Sequence, residues 1–201
     1  KNKNFKLFVF NRTKFVERKW KKKFIAESYN FKNDIKFDFI ISCLKDDHAV
    51  NSFYDKFLKT LNFHKNSIII DHSTISLRQI DLLSRSFKQR KIRFLDAPIT
   101  GGEEGAKKGS LSVMVGGTKP NFNKSKRIIS SYSKSLTHMG KLGSGQLTKF
   151  TNQILICGIL YSISEAYLFS KKNNLNQKKI FNAIKNGAAN SWQFTNRYPT
   201  L

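Results

Sequence analysis

Short apolar runs that each close on polar residues alternate with helix-like stretches, and this alternation most constrains the fold. Phe5–Phe10 (FKLFVF) is followed by Asn11-Arg12-Thr13 and a basic stretch. Phe37–Cys43 (FDFIISC) leads into Leu44-Lys45-Asp46-Asp47, and Ser67–Asp71 (SIIID) leads into His72-Ser73-Thr74. Strands that alternate with helices imply a parallel sheet whose carboxyl edge gathers ligand-binding loops. The pattern predicts strands at 5–10, 37–43, 67–71, 92–96, 110–115 and 135–138. It predicts helices over 13–23, 46–60, 76–89, 119–132, 145–172 and 176–186. Strand 110–115 follows a glycine-bounded turn, which leaves antiparallel pairing open there.

Two stretches carry chemistry. From Phe94 to Gly117 the chain reads FLDAPITGGEEGAKKGSLSVMVGG. A strand ending in a Pro turn followed by Gly-Gly exposes backbone N–H groups with no Cβ in the way. Such a corner can wrap a small anion such as a carboxylate. From Gly140 the chain reads GKLGSGQLTKFTNQILICGILYSISEAYLFSKKNNLN. Ser144, between Gly143 and Gly145, suits a helix N-cap. Lys149, Asn152 and Gln153 lie at i, i+3 and i+4, so one helix face offers an ammonium and two amides. The flanking residues are apolar: Phe150, Ile154, Leu155, Ile156, Ile159, Leu160 and Ile163. A lysine that loses hydration there has its charged form disfavoured and its pKa lowered. Proton exchange near neutral pH then comes within its range. The apolar stretch Ile154–Phe169 is short for a membrane span and is interrupted by Glu165 and serines, so a buried helix between two domains is expected.

Together these stretches resemble the substrate-binding and catalytic-helix signatures of the β-hydroxyacid dehydrogenases. That family includes 3-hydroxyisobutyrate dehydrogenase and tartronate semialdehyde reductase and is 6-phosphogluconate dehydrogenase-like. The resemblance implies an α/β fold, with a Rossmann-type dinucleotide-binding domain at 1–141. A long interdomain helix and the start of an all-α domain would occupy 142–201. It implies Lys149 as the proton donor or acceptor, with Thr100, Gly101, Gly102, Asn152 and Gln153 binding the substrate carboxylate and fixing the substrate. Leu44, Lys45 and Thr74 match nicotinamide-side contacts, although Lys45 stands where the family usually has proline. The Asn-Gln pair is closer to the tartronate semialdehyde reductase branch than to relatives carrying Asn-Asn. Asn11, Arg12 and Thr13 fall at the adenosine-ribose position. An acid there would bond a 2′-hydroxyl, whereas an arginine accommodates a 2′-phosphate, which argues for NADP(H) over NAD(H). The fingerprint G-x-G-x-x-G is not in these 201 residues. The resemblance therefore implies further chain before Lys1 and further helices beyond Leu201, and weak cofactor binding by this segment alone. Readings left open are a reductase of glyoxylate, succinic semialdehyde, a sugar acid or an imine, and a non-catalytic basic binding module.

Composition bounds the remainder. Thirty-nine per cent hydrophobic residues and 18 Phe are enough for a core and argue against disorder. The two cysteines, Cys43 and Cys157, look like small buried side chains, which suits a reducing cytoplasm and no metal cluster. A net charge of +24 could attract nucleic acid. Its cations are mostly lysine and spread along the chain, however, and the Lys, Asn, Ile and Phe enrichment resembles an AT-rich coding bias. The expected partner is a small carboxylate substrate, with no nucleic acid and no membrane, and with a homo-oligomer open.

Overall fold

The computed structural model describes residues 5–30, 35–60 and 67–201. The chain divides into two compact units, Lys1–Lys149 and Phe150–Leu201.

The first unit is built on a six-stranded sheet. Strands β3 (Phe39–Ser42), β4 (Ile68–Asp71) and β5 (Arg93–Asp96) run parallel and in register, Phe39 opposite Ile68 and Ile68 opposite Arg93. They alternate with helices α2 (Asp47–Thr60) and α3 (Leu77–Gln89), as the sequence pattern predicts. The Ile68-Ile69-Ile70-Asp71 strand is buried on both faces, and successive residues serve opposite layers. Ile69 packs with Val50, Tyr54, Leu83, Phe87 and Phe94 beneath α2 and α3. Ile68 and Ile70 pack with Leu95, Val113, Phe122 and Ile129 on the other side, which α5 (Lys119–Ser130) covers.

After β5 the chain continues as β6 (Ile99–Thr100), turns through α4 (Gly102–Lys108), and returns as β7 (Leu111–Gly116). Strand β7 is antiparallel to β5 and β6, while β8 (Ser133–Gly140) runs parallel to β7. The composition of Gly102–Lys108 reads as a loop, yet it forms a helix. Glu103 and Glu104 sit in its first turn and Lys107 and Lys108 in its last, and Lys107 pairs with Glu103 at 2.7 Å.

The predicted 5–10 strand is shorter than expected, β1 (Phe8–Val9). It pairs in parallel with β2 (Glu27–Ser28) in a separate two-stranded sheet, with α1 (Lys14–Lys23) between them. Strand β2 has no apolar alternation; it is held by pairing with β1 and by an ion pair from Glu27 to Lys6 at 3.1 Å.

Helix α6 (Ser144–Lys172) starts in the first unit and runs into the second. In the second unit, α7 (Gln177–Ile184), α8 (Trp192–Arg197) and a 3-10 turn at Tyr198–Thr200 follow it. Ile163, Phe194 and Tyr198 form the unit's buried centre, packed by Tyr167, Ile180, Phe181 and Ile184. The expectation of a wholly buried α6 is not met. Ile154 and Leu155 are 72% and 61% exposed, because α6 is apolar on every side while two short helices offer only one packing face. Both cysteines are likewise exposed rather than buried, Cys43 at the end of β3 and Cys157 on an open face of α6.

Candidate active site

The parallel strands deliver their last residues side by side: Ser42 opposite Asp71, and Asp71 opposite Asp96. Both aspartates are fully buried, and desolvation pushes both carboxyls up from the ordinary carboxylate range. Asp71 Oδ1 accepts from the Ser73 amide at 2.9 Å. The Ser73 hydroxyl in turn accepts from the Leu44 amide at 2.8 Å. Asp47 accepts from the Ser76 amide at 2.9 Å, and Ser76 caps α3 by accepting from the Gln79 amide. These bonds join the loops after β3 and β4, the loops that carry Leu44, Lys45 and Thr74. Thr74 is exposed between buried Ser73 and Ile75, and its hydroxyl has no hydrogen-bond partner among the described residues.

The turn after β5 is fixed from below by His72. A carbonyl oxygen can only accept, so Nδ1 carries the proton and donates to Ala97 O at 2.5 Å, and Nε2 accepts from the Tyr132 hydroxyl at 2.8 Å. Burial lowers the His72 pKa and keeps the ring neutral. Thr100 then stands at the end of β6, opposite Ser112. Gly101 and Gly102 follow at φ +125° and +62°, where side chains are strained, and a Cβ on Gly102 would meet nothing within 4 Å. The corner is open backbone.

Asp96 also anchors α6. Its Oδ1 accepts from the Gly143 amide at 2.8 Å and Oδ2 from the Gln146 amide at 2.9 Å, a carboxylate set against a helix N-terminus. The helix start lies so close to the sheet that a Cβ on Gly145 would fall 2.5 Å from Met114 O. Gln146, fully buried, donates from Nε2 to Ser73 O at 2.7 Å and accepts the Ile75 amide at 3.3 Å. One turn on stands Lys149, half-buried, its pKa lowered by desolvation.

Residues 1–140 match the NAD-binding domain of 6-phosphogluconate dehydrogenase, and residues 143–201 match the NAD-binding region of NADP-dependent 3-hydroxyisobutyrate dehydrogenase. The chain belongs to the β-hydroxyacid dehydrogenase family. Among its relatives, an uncharacterized oxidoreductase of Shewanella frigidimarina is 34% identical over 196 residues, which cover 96% of this chain and 67% of that protein. The 2-hydroxy-3-oxopropionate reductase of Escherichia coli is 35% identical over 127 residues, covering 63% of this chain and 44% of the reductase. The structure of Plasmodium falciparum 6-phosphogluconate dehydrogenase superposes with a TM-score of 0.79 at 26% identity, covering 96% of this chain and 45% of that one. The chain thus spans between about two fifths and two thirds of these relatives' lengths.

In this β-hydroxyacid dehydrogenase fold, the first unit holds Leu44, Lys45, Thr74, Thr100, Gly101, Gly102 and Lys149. The loops and helix that carry them are linked through Ser73, Asp96 and Gln146. Asn152 and Gln153 belong to the second unit, where Asn152 Nδ2 donates to Gln153 Oε1 at 3.1 Å. Half-buried Asn11 and exposed Arg12 and Thr13 follow β1 of the two-stranded sheet, outside that network, with Asn11 Oδ1 accepting from the Thr13 amide. Asp71, His72, Asp96 and Gln146 are not singled out by sequence reasoning. Their one sequence signal is an acid closing an apolar strand, at Asp71 and Asp96, and that alone does not say what the acid holds.

Proposed function

We propose that the protein containing this chain transfers a hydride reversibly between NADP(H) and a small β-hydroxyacid or its semialdehyde, with Lys149 moving the proton. The supporting observation is the placing of Lys149. A buried carboxylate fixes its helix to the strand leading to Thr100, and Gln146 fixes the same helix to the Thr74 loop. In this reading the Thr100 hydroxyl and the open glycine backbone receive the substrate carboxylate, while Asn152 and Gln153 add amide contacts. Lys149 donates its proton to the carbonyl oxygen during reduction and takes the hydroxyl proton during oxidation. The carboxyl-edge loops suit a nicotinamide cofactor, because the loops carrying Leu44, Lys45 and Thr74 are tied by the Leu44 amide to the Ser73 hydroxyl, with the Thr74 hydroxyl unspent. NADP(H) when bound supplies or accepts the hydride; the chain orients the reactants. Following nicotinamide absorbance against a panel of small β-hydroxyacids and semialdehydes tests this. Turnover on none of them would refute it.

Two observations support NADP(H) over NAD(H). The match over 143–201 is to an NADP-dependent enzyme, and exposed Arg12 makes no ion pair among the described residues. The nearest acid on α1, Glu17, is buried and paired with Lys14 at 3.1 Å. Arg12→Ala should weaken NADP(H) binding about tenfold, the loss of one charge-assisted phosphate contact, and leave NAD(H) binding unchanged. Fluorescence titration with both cofactors reads this out, and an equal loss for the two would remove Arg12 from the 2′-phosphate.

A further inference from the structure

We propose that Gln146 is a positioning residue that keeps Lys149 in register with the Thr74 loop, a role that rests on the function proposed above. Gln146 is completely buried, and its backbone amide, Nε2 and Oε1 each make a hydrogen bond. Its backbone amide donates to Asp96 Oδ2 at 2.9 Å. Its side-chain Nε2 donates to Ser73 O at 2.7 Å, and its Oε1 accepts from the Ile75 amide at 3.3 Å. The two side-chain bonds bracket Thr74. The peptide groups that need partners there are one acceptor and one donor, and a carboxamide is the side chain that offers both complements at once. An ionised glutamate of the same reach only accepts, and a lysine only donates.

Gln146 and Lys149 stand at i and i+3 on one helix face. A displacement of the Ser73–Ile75 segment is therefore passed to the turn that carries the amine, and the reverse holds. The side chain spans 73 positions of sequence, from the first turn of α6 to the loop after β4. Without it, Ser73 O and the Ile75 amide would each lack a partner in a buried setting, a state that structures avoid. Asp96 fixes where the helix starts; Gln146 fixes how the helix is turned against the cofactor-side loop.

The test uses the protein containing this chain with Gln146→Met, which keeps length and volume but makes neither side-chain bond. One readout is the titration midpoint of the Lys149 amine, obtained from the pH dependence of acetylation measured by mass spectrometry. The other is kcat compared with KM for NADP(H). Freed from the latch, Lys149 gains water, so its midpoint should rise by about half a unit or more, roughly a threefold fall in the neutral fraction at a fixed pH. In parallel, kcat should fall at least tenfold with KM changed far less. Gln146→Asn keeps the carboxamide and adds no charge beside Lys149, but is one methylene too short to hold Ser73 O and the Ile75 amide together. It should give the smaller change of the same sign, and it carries the test if the methionine variant does not fold. An unchanged Lys149 midpoint in a folded variant overturns the proposal. A shifted midpoint in a protein that never turns over a hydroxyacid would leave Gln146 as the positioning residue and refute the function instead.

Discussion

In the protein containing this chain, replacing Lys149 with alanine should lower turnover by roughly 10²–10⁴-fold while leaving NADP(H) affinity within a few-fold of the unaltered protein. The lysine emerges from the first turns of α6, after Asp96 and Gln146 have fixed that helix to the sheet, so its removal disturbs no anchor. Desolvation lowers its pKa from the ordinary lysine value, and the direction of the pH dependence follows. On the proposed role, oxidation needs the neutral amine as proton acceptor, so the rate should rise with pH through an inflection below the ordinary lysine value. In reduction the ammonium donates, so the rate should fall through the same inflection. Lys149→Arg separates charge from proton transfer. Arginine keeps a cation at that place but does not give up its proton, so it should fail nearly as badly as alanine. Rates of both directions against pH for the three proteins measure this. An arginine variant with near-normal turnover would show that Lys149 acts only as a fixed charge.

Much of the sheet was legible because its signals are local. The isoleucine run before Asp71 can hardly be anything but a central strand, and the runs before Ser42 and Asp96 read almost as clearly. The glycine corner after Pro98 was legible for the same reason, since residue type alone states what backbone it allows. Helix α4 and strands β2 and β6 were not, because they are two to seven residues long, glycine-rich or polar, and form only against partners elsewhere in the chain. The anchors of the candidate site were invisible on other grounds. Asp96 meets the Gly143 and Gln146 amides across 47 and 50 positions, and His72 meets Tyr132 across 60, distances no local window spans. The exposure of α6 is not legible in its sequence, because an apolar composition says that a helix can be covered, not which of its faces finds a partner.

Gly145→Ala and Gly158→Ala place the same methyl group on the same helix and should have opposite effects. A Cβ on Gly145 would lie 2.5 Å from Met114 O and 2.8 Å from Asp96 O, both backbone atoms of the sheet. Neither atom belongs to a side chain that can swing away, so the helix start itself must lift. Lifting it lengthens the Asp96 bonds to Gly143 and Gln146 and the Gln146 bonds to Ser73 and Ile75. Overpacking of this kind costs about 3 kcal/mol or more. At about 2–4 °C per kcal/mol for a chain of this size, the first unit's melting temperature should fall by roughly 6–12 °C. Gly158 lies within α6 in the second unit, and a Cβ there meets nothing within 4 Å. Alanine should therefore improve helix propensity and add about 0.5–1 kcal/mol of stability. Thermal unfolding followed by circular dichroism compares the two directly. If Gly145→Ala melts no lower than the unaltered chain, the helix does not sit on the sheet as closely as the Asp96 and Gln146 bonds require, and the placing of Lys149 falls with it.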